Sequence, residues 1–256
     1  MADVELSGPE DGVSWVRINR PEVKNALNLN ARELLAQNFT ALSEDANTRC
    51  IVLTGGDRVF AAGADIRDLA DAATVEVYLR NAQRLWQAIA QCPKPVISAV
   101  NGFAFGAGCE LAMHTDIIVA GENASFAQPE VKVGIMPGAG GTQRLVRAVG
   151  KFHAMRMVMT GHAVSGREAL AMGLASECVA DAEVQSRAAG LAKTIAAMPP
   201  LAIAQIKEVI LAGQDASLEA ALALERKAFQ ILFSSEDQKE GMRAFLEKRK
   251  PDYKGR

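Results

Sequence analysis

The sequence predicts an α/β protein with a mostly parallel sheet, followed by a helical segment. Short apolar runs at 50–56 (CIVLTGG), 95–102 (PVISAVNG) and 116–121 (DIIVAG) have the length and character of buried parallel strands. Stretches with apolar residues at helical spacing lie between them. Beyond Met198-Pro199-Pro200 only helical patterns remain. Strand and helix in alternation is the signature of a sheet covered by crossover helices.

Taken in order, Val13, Trp15, Val16 and Ile18 alternate with polar residues and predict a strand ending at Arg20-Pro21. From Asn28 to about Ala46, Leu34, Leu35, Phe39 and Leu42 recur on one helical face. Residues 65–91 are expected to be helical, with Leu69, Leu79, Leu85, Trp86 and Ile89 as the apolar positions. A Gly-rich turn after 102 leads into a short helix around 107–114. The tail reads as helices from Leu201 to Ala212, Ser217 to Leu232 and Glu236 to Lys250. Ser217 is a suitable N-cap, but Ala220 three residues on leaves the capping box incomplete. The division expected is a core over 1–198 and a helical segment over 199–256.

Bulk properties exclude several function classes. A chain of 256 residues, 49% hydrophobic and 23% charged, can bury a substantial core. A formal charge of −2 gives no global attraction to nucleic acid or an anionic membrane. No run is long and apolar enough to span a bilayer, and the acidic start MADVELSGPEDG resembles neither a secretory signal nor a transit peptide. Cys50, Cys92, Cys109 and Cys178 show no metal-ligand spacing and read as reduced thiols, so a cytoplasmic protein is expected.

Three segments rich in Gly and Ala stand out: 61–66 (AAGADI), 101–112 (NGFAFGAGCELA) and 134–144 (GIMPGAGGTQR). Small residues let a backbone approach a ligand closely, although tight packing alone also selects them. Their spacing matches neither G-x-G-x-x-G nor G-x-x-x-x-G-K-[ST], and G-x-S-x-G is missing. Glu110 lies within the otherwise small and apolar GAGCELAMH, where a carboxylate is costly to bury. Glu130 follows Pro129 in a second largely apolar stretch. Each alone fits a cap or a salt bridge; together, in apolar surroundings, they suit acid/base chemistry near neutral pH.

The segments at 19–28 (NRPEVKNALN), 60–66 (FAAGADI), 101–112, 126–145 (FAQPEVKVGIMPGAGGTQRL) and 240–256 (EGMRAFLEKRKPDYKGR) resemble the crotonase, or enoyl-CoA hydratase, family. The resemblance covers essentially the whole chain. It implies a spiral of ββα repeats with C-terminal helices that build homotrimers or homohexamers. It further implies addition of water across the 2,3 double bond of an enoyl-CoA thioester, with no permanently bound cofactor and coenzyme A as part of the substrate. By the resemblance, Glu110 activates the water and Glu130 delivers a proton to C2, while the backbone N–H groups of Ala64 and Ala107 hold the thioester oxygen. Gly138 shapes the water site. Lys24, Ala26, Ala62, Asp65, Ile66 and Arg67 contact coenzyme A, and Phe245 and Lys248 reach it from a neighbouring subunit. Leu69 and Trp86 are expected to wall the acyl pocket.

Double-bond isomerases of this superfamily commonly keep the second acid and lack the first, so the presence of both glutamates favours hydration. A thioester hydrolase or a carbon–carbon lyase stays open within the superfamily. The tail and 102–112 also resemble hydratases that act on 2,3-dehydroadipyl-CoA. One relative of the family binds RNA, but the basic tail around Lys239, Arg243 and Lys248 is explained more simply by a phosphorylated substrate.

Overall fold

The apolar runs become the middle of a sheet in the computed structural model, which describes residues 2–256. In chain order the strands are β1 (Val4–Glu10), β2 (Val13–Ile18), β3 (Cys50–Thr54), β4 (Val96–Val100), β5 (Phe103–Phe105), β6 (Ile117–Gly121), β7 (Ser125–Ala127), β8 (Val164–Ser165) and β9 (Glu177–Val179). The helices are α1 (Leu29–Glu44), α2 (Thr74–Arg80), α3 (Gln83–Ala90), α4 (Ala107–Met113) and α5 (Gly141–Thr160). They continue as α6 (Gly166–Met172), α7 (Val184–Ala196), α8 (Pro200–Gly213), α9 (Leu218–Leu232) and α10 (Glu236–Glu247). The larger sheet runs β1-β2-β3-β4-β6-β9 and is parallel apart from the β1–β2 pair; the smaller runs β5-β7-β8.

Successive turns of chain give one strand to each sheet and then a helix: β4, β5, α4, followed by β6, β7, α5. After β3, Ala61 takes the place of a second strand by bridging to Ala104. This is the ββα spiral. Its central strands β3 and β4 are buried throughout and largely apolar because both faces are covered. Ile51 and Leu53 of β3 point into a core with α1, α3 and α4, while Cys50 and Val52 point the other way, onto Val184, Ala188, Ala192 and Ala196 of α7.

Two expectations need correction. Residues 65–91 are not one helix: a short 3-10 turn (Ile66–Asp68) precedes α2 and α3, and Asn81, at φ 41°, closes α2. Leu85, Trp86 and Ile89 are buried as the pattern requires, but Val75, Tyr78 and Leu79 face outward, so no core holds α2 to a common axis. The strand Val4–Glu10 went unread because only Val4 of it is buried, leaving no alternation to detect.

Within one chain α8–α10 bury only Ala228, Asp237 and Ala244, while Ile206, Ile210, Phe229, Ile231, Phe245 and Leu246 stay exposed. The tail returns to the core: Asp237 accepts the N–H groups of Lys254 (2.6 Å) and Gly255 (2.8 Å), and Arg49 donates to the Tyr253 carbonyl at 3.0 Å. Among the described residues no single helix is long and apolar enough to cross a membrane.

Candidate active site

Two loops meet in strand-like pairing beside α4. Ala62 N–H donates to Lys24 O (3.0 Å), Leu27 N–H to Gly63 O (2.7 Å) and Asp65 N–H to Leu27 O (3.2 Å). Gly63 and Asp65 supply the groups that bridge to Leu27, so Ala64 turns its own N–H to the opposite side. Lys24 and Asn25 sit in left-handed conformations at φ 53° and 57°. The buried Asn25 side chain fixes that turn, accepting Arg20 N–H and donating to the carbonyls of Gly55 (3.0 Å) and Val59 (2.7 Å). The Arg20 guanidinium ties the same loop by donating to Ala26 O and lying 3.9 Å from Asp65.

Ala107 begins α4, and its N–H precedes the first intrahelical bond, which Glu110 N–H makes to Gly106 O at 2.9 Å. Gly106 takes φ 48°, and a Cβ on it would stand 2.7 Å from Glu130 Oε1. A Cβ on Gly108 would lie 2.2 Å from Ala61 O. These two glycines let α4 start against the Ala61–Ala64 segment and leave room for a carboxylate over its first turn.

Glu110, 2% exposed, projects from α4 to the turn before α5. Its Oε1 accepts two backbone N–H groups, from Ala139 at 2.7 Å and Gly141 at 2.8 Å. That engagement leaves Oε2 for a reactant. Burial pushes the Glu110 carboxyl up, and the two N–H donors and the Arg32 charge hold it back. Glu130 opens a 3-10 turn (Glu130–Val133) after Pro129. Burial raises it to about 7, with the Glu110 charge adding to the rise. Burial thus raises both acids above the ordinary carboxylate range.

Gln128, fully buried, joins the pair. With its amide nitrogen toward the site it donates to both carboxylate oxygens of Glu130 at 3.2 Å. Burial, then Arg144, lowers His114 to about 4, so its imidazole is neutral near pH 7. Its Nδ1 lies 2.7 Å from Glu110 O, and its ring stacks on Trp86 at 5.5 Å between centroids.

The structure brings most of the expected residues together. Glu110 lies near enough to Glu130 for its charge to raise it, Ala107 begins the helix that carries Glu110, and Lys24, Ala26, Ala62, Ala64, Asp65, Ile66 and Arg67 lie on the paired loops. Arg67 is turned onto Asp65 (2.9 and 2.8 Å), which holds that carboxyl below its usual range. Trp86 and Gly138 line an open cleft of about 1670 Å³ with Met113, His114 and Met136; Leu69 does not reach it. The cleft exceeds a ligand pocket in size, because exposed apolar residues of α8 form its far wall. A Cβ on Gly138 would meet open space, so packing does not demand glycine there. Phe245, 83% exposed, and Lys248 lie on or just after α10, and no hydrogen bond, ion pair or ring contact links them to the paired loops among the described residues. Sequence reading missed Arg20, Asn25 and Gln128. Gln128 had a signal, an amide two residues before Glu130 in an apolar run; the other two resemble ordinary loop residues.

Two carboxyls raised by burial, on a ββα spiral with small-residue loops beside them, have the character of an acid/base site. The comparisons agree. The family model described as Enoyl-CoA hydratase/isomerase matches residues 8–256, and the chain belongs to that family. The chain is 44% identical over 250 residues to the mitochondrial enoyl-CoA hydratase of Pongo abelii, covering 98% of this chain and 86% of that one. It is 43% identical over 244 residues to the 2,3-dehydroadipyl-CoA hydratase of Escherichia coli K12, covering 95% and 96%. The crystal structure of enoyl-CoA hydratase from Bacillus anthracis superposes with a TM-score of 0.95 at 35% identity, covering 99% of this chain and all of that one.

Proposed function

We propose that the protein hydrates trans-2-enoyl-CoA thioesters to 3-hydroxyacyl-CoA by syn addition of water, in fatty-acid oxidation or a related acyl-CoA catabolic route. The observation that carries this reading is Glu110, anchored through one oxygen by Ala139 and Gly141, beside a Glu130 raised to about 7. Water attacks C3 as Glu110 Oε2 takes its proton. Charge moves onto the thioester oxygen, where the N–H groups of Ala64 and Ala107 receive it; each such donor contributes roughly 3–4 kcal/mol in comparable sites. Glu130, held by Gln128, gives a proton to C2. Glu110 keeps the incoming proton, and the two acids re-equilibrate through solvent.

Coenzyme A lies along the Lys24–Ala26 and Ala62–Arg67 loops, and Phe245 and Lys248 of a neighbouring subunit complete its site. The reading therefore includes a homotrimer or a dimer of trimers, with residues 199–256 as the assembling segment and 1–198 as the catalytic core. The exposed apolar faces of α8–α10 support it. Catalysis needs no resident cofactor, and we place the protein in the cytoplasm.

Crotonyl-CoA incubated in oxygen-18 water tests the reaction. Hydration predicts a product heavier by one water with the label at C3. A shifted double bond without gain of mass identifies an isomerase, and an unchanged thioester rejects the reading. The similarity to a 2,3-dehydroadipyl-CoA hydratase supports a second reading, in which the preferred acyl chain carries its own carboxylate.

A further inference from the structure

Arg20 is a buried cation that the reaction above does not use. It is 8% exposed and sits where three pieces of chain meet. Its guanidinium donates to Ala26 O, lies 3.9 Å from an Asp65 carboxylate oxygen, and pairs through Nε with Asp3 at 3.3 Å. Its backbone is engaged as well. Arg20 N–H donates to the Asn25 side chain at 2.8 Å, and Arg20 O accepts Asn25 N–H at 2.8 Å and Val23 N–H at 3.2 Å. A buried guanidinium is costly unless its fork is used, and here the fork reaches two separate segments.

Those segments are the paired loops of the candidate site. Ala26 lies between Lys24, whose carbonyl takes the Ala62 N–H, and Leu27, whose N–H and carbonyl pair with Gly63 and Asp65. The pairing is short, and its first strand contains Lys24 and Asn25 in the left-handed region, which side chains other than glycine rarely adopt. Asp65 directly follows Ala64, so its carboxylate is a negative charge one residue from the N–H proposed to receive the thioester oxygen. Arg67 also neutralises Asp65, at 2.9 and 2.8 Å, but its side chain is 74% exposed against 10% for Arg20. Solvent and salt screen the outer pair far more than the inner one.

We propose that Arg20 is a positioning residue: it clamps the Lys24–Leu27 and Ala62–Arg67 loops together so that the Ala64 N–H stays aimed at the thioester oxygen. This rests on the proposed hydratase reading, which assigns that N–H to the oxygen.

Infrared difference spectra of bound hexanoyl-CoA, with and without carbon-13 at the thioester carbonyl, read that aim, because a hydrogen-bonded carbonyl stretches at lower frequency. The ligand is saturated and unreactive, and at saturation the signal does not depend on affinity. Wild type should lower the stretch relative to free ligand. In Arg20→Met the lowering should shrink, and kcat for crotonyl-CoA should fall by about 10–100-fold, the scale of a small misplacement of catalytic groups. Arg20→Lys keeps the charge without the fork and should recover part of both. A lower thermal midpoint in Arg20→Met, with carbonyl stretch and kcat at wild-type values, would assign Arg20 to stability alone and overturn the proposal. If Arg20→Met does not fold, Arg20→Lys decides: a weakened lowering supports the clamp, and wild-type values overturn it. A wild type whose bound carbonyl is unshifted rejects the Ala64 donor and the clamp with it. A shift that depends on Arg20, in a protein that leaves crotonyl-CoA unchanged, rejects hydration and keeps the clamp.

Discussion

Glu110 shows how a single carboxylate is given both position and reactivity. Two backbone donors fix one oxygen, and burial raises the proton affinity of the group. The fixing depends on glycine at 141, where a Cβ would stand 2.9 Å from Glu110 Oε1 and 2.8 Å from Pro137 Cβ. Gly141→Ala should therefore lower kcat by about 10-fold or more, since small misplacement of a catalytic group is expensive. Glu130 makes a different prediction. Its folded value of about 7 lies above the ordinary 4.5, so the native state binds the extra proton between those limits. Stability from this group is present below about 4.5 and is lost as pH rises through about 7, by at most roughly 3 kcal/mol. Glu130→Gln should flatten that part of a denaturant-midpoint profile, and a steeper fall in the variant would contradict the assignment.

Elements were legible where packing imposes a period. The runs at β3, β4 and β6 announced buried strands because both faces of each are covered. Leu35, Phe39 and Leu42 announced α1 because only one face is buried, and the Ser217 cap falls where the composition placed it. What escaped had no such contrast. Helix α7 packs through Ala188, Ala192 and Ala196, small residues that carry little apolar signal yet allow close approach to the sheet. Ala192→Leu should destabilise by about 1–3 kcal/mol through overpacking, read as a lowered thermal midpoint. The site was legible in its acids and small-residue loops. The left-handed turn at Lys24 and Asn25 was not, because its cause is a buried amide reaching carbonyls about thirty residues away (Asn25 to Gly55 and Val59).

At the scale of the whole molecule, the core and the C-terminal helices differ in how fully they are covered. A core covered on both sheet faces carries three helices whose apolar side chains remain uncovered within one copy. Sedimentation should find three or six copies of the 27.2 kDa chain, and a monomer at micromolar concentration would contradict the assembly. If Phe245 completes the coenzyme site of a neighbouring subunit, as proposed, Phe245→Ala should raise KM for the thioester more than it lowers kcat.

The central claim is that Glu110 and Glu130 act as one unit in the addition, Glu110 on the water and Glu130 at C2. The most direct measurement is the loss of the conjugated enoyl-thioester absorbance, followed for wild type, Glu110→Gln, Glu130→Gln and the double variant. The account predicts a rate loss of about 10²–10⁴ for each single change, with the double variant falling little further than the worse single. Full rate in either single variant, or losses that simply multiply, would contradict it.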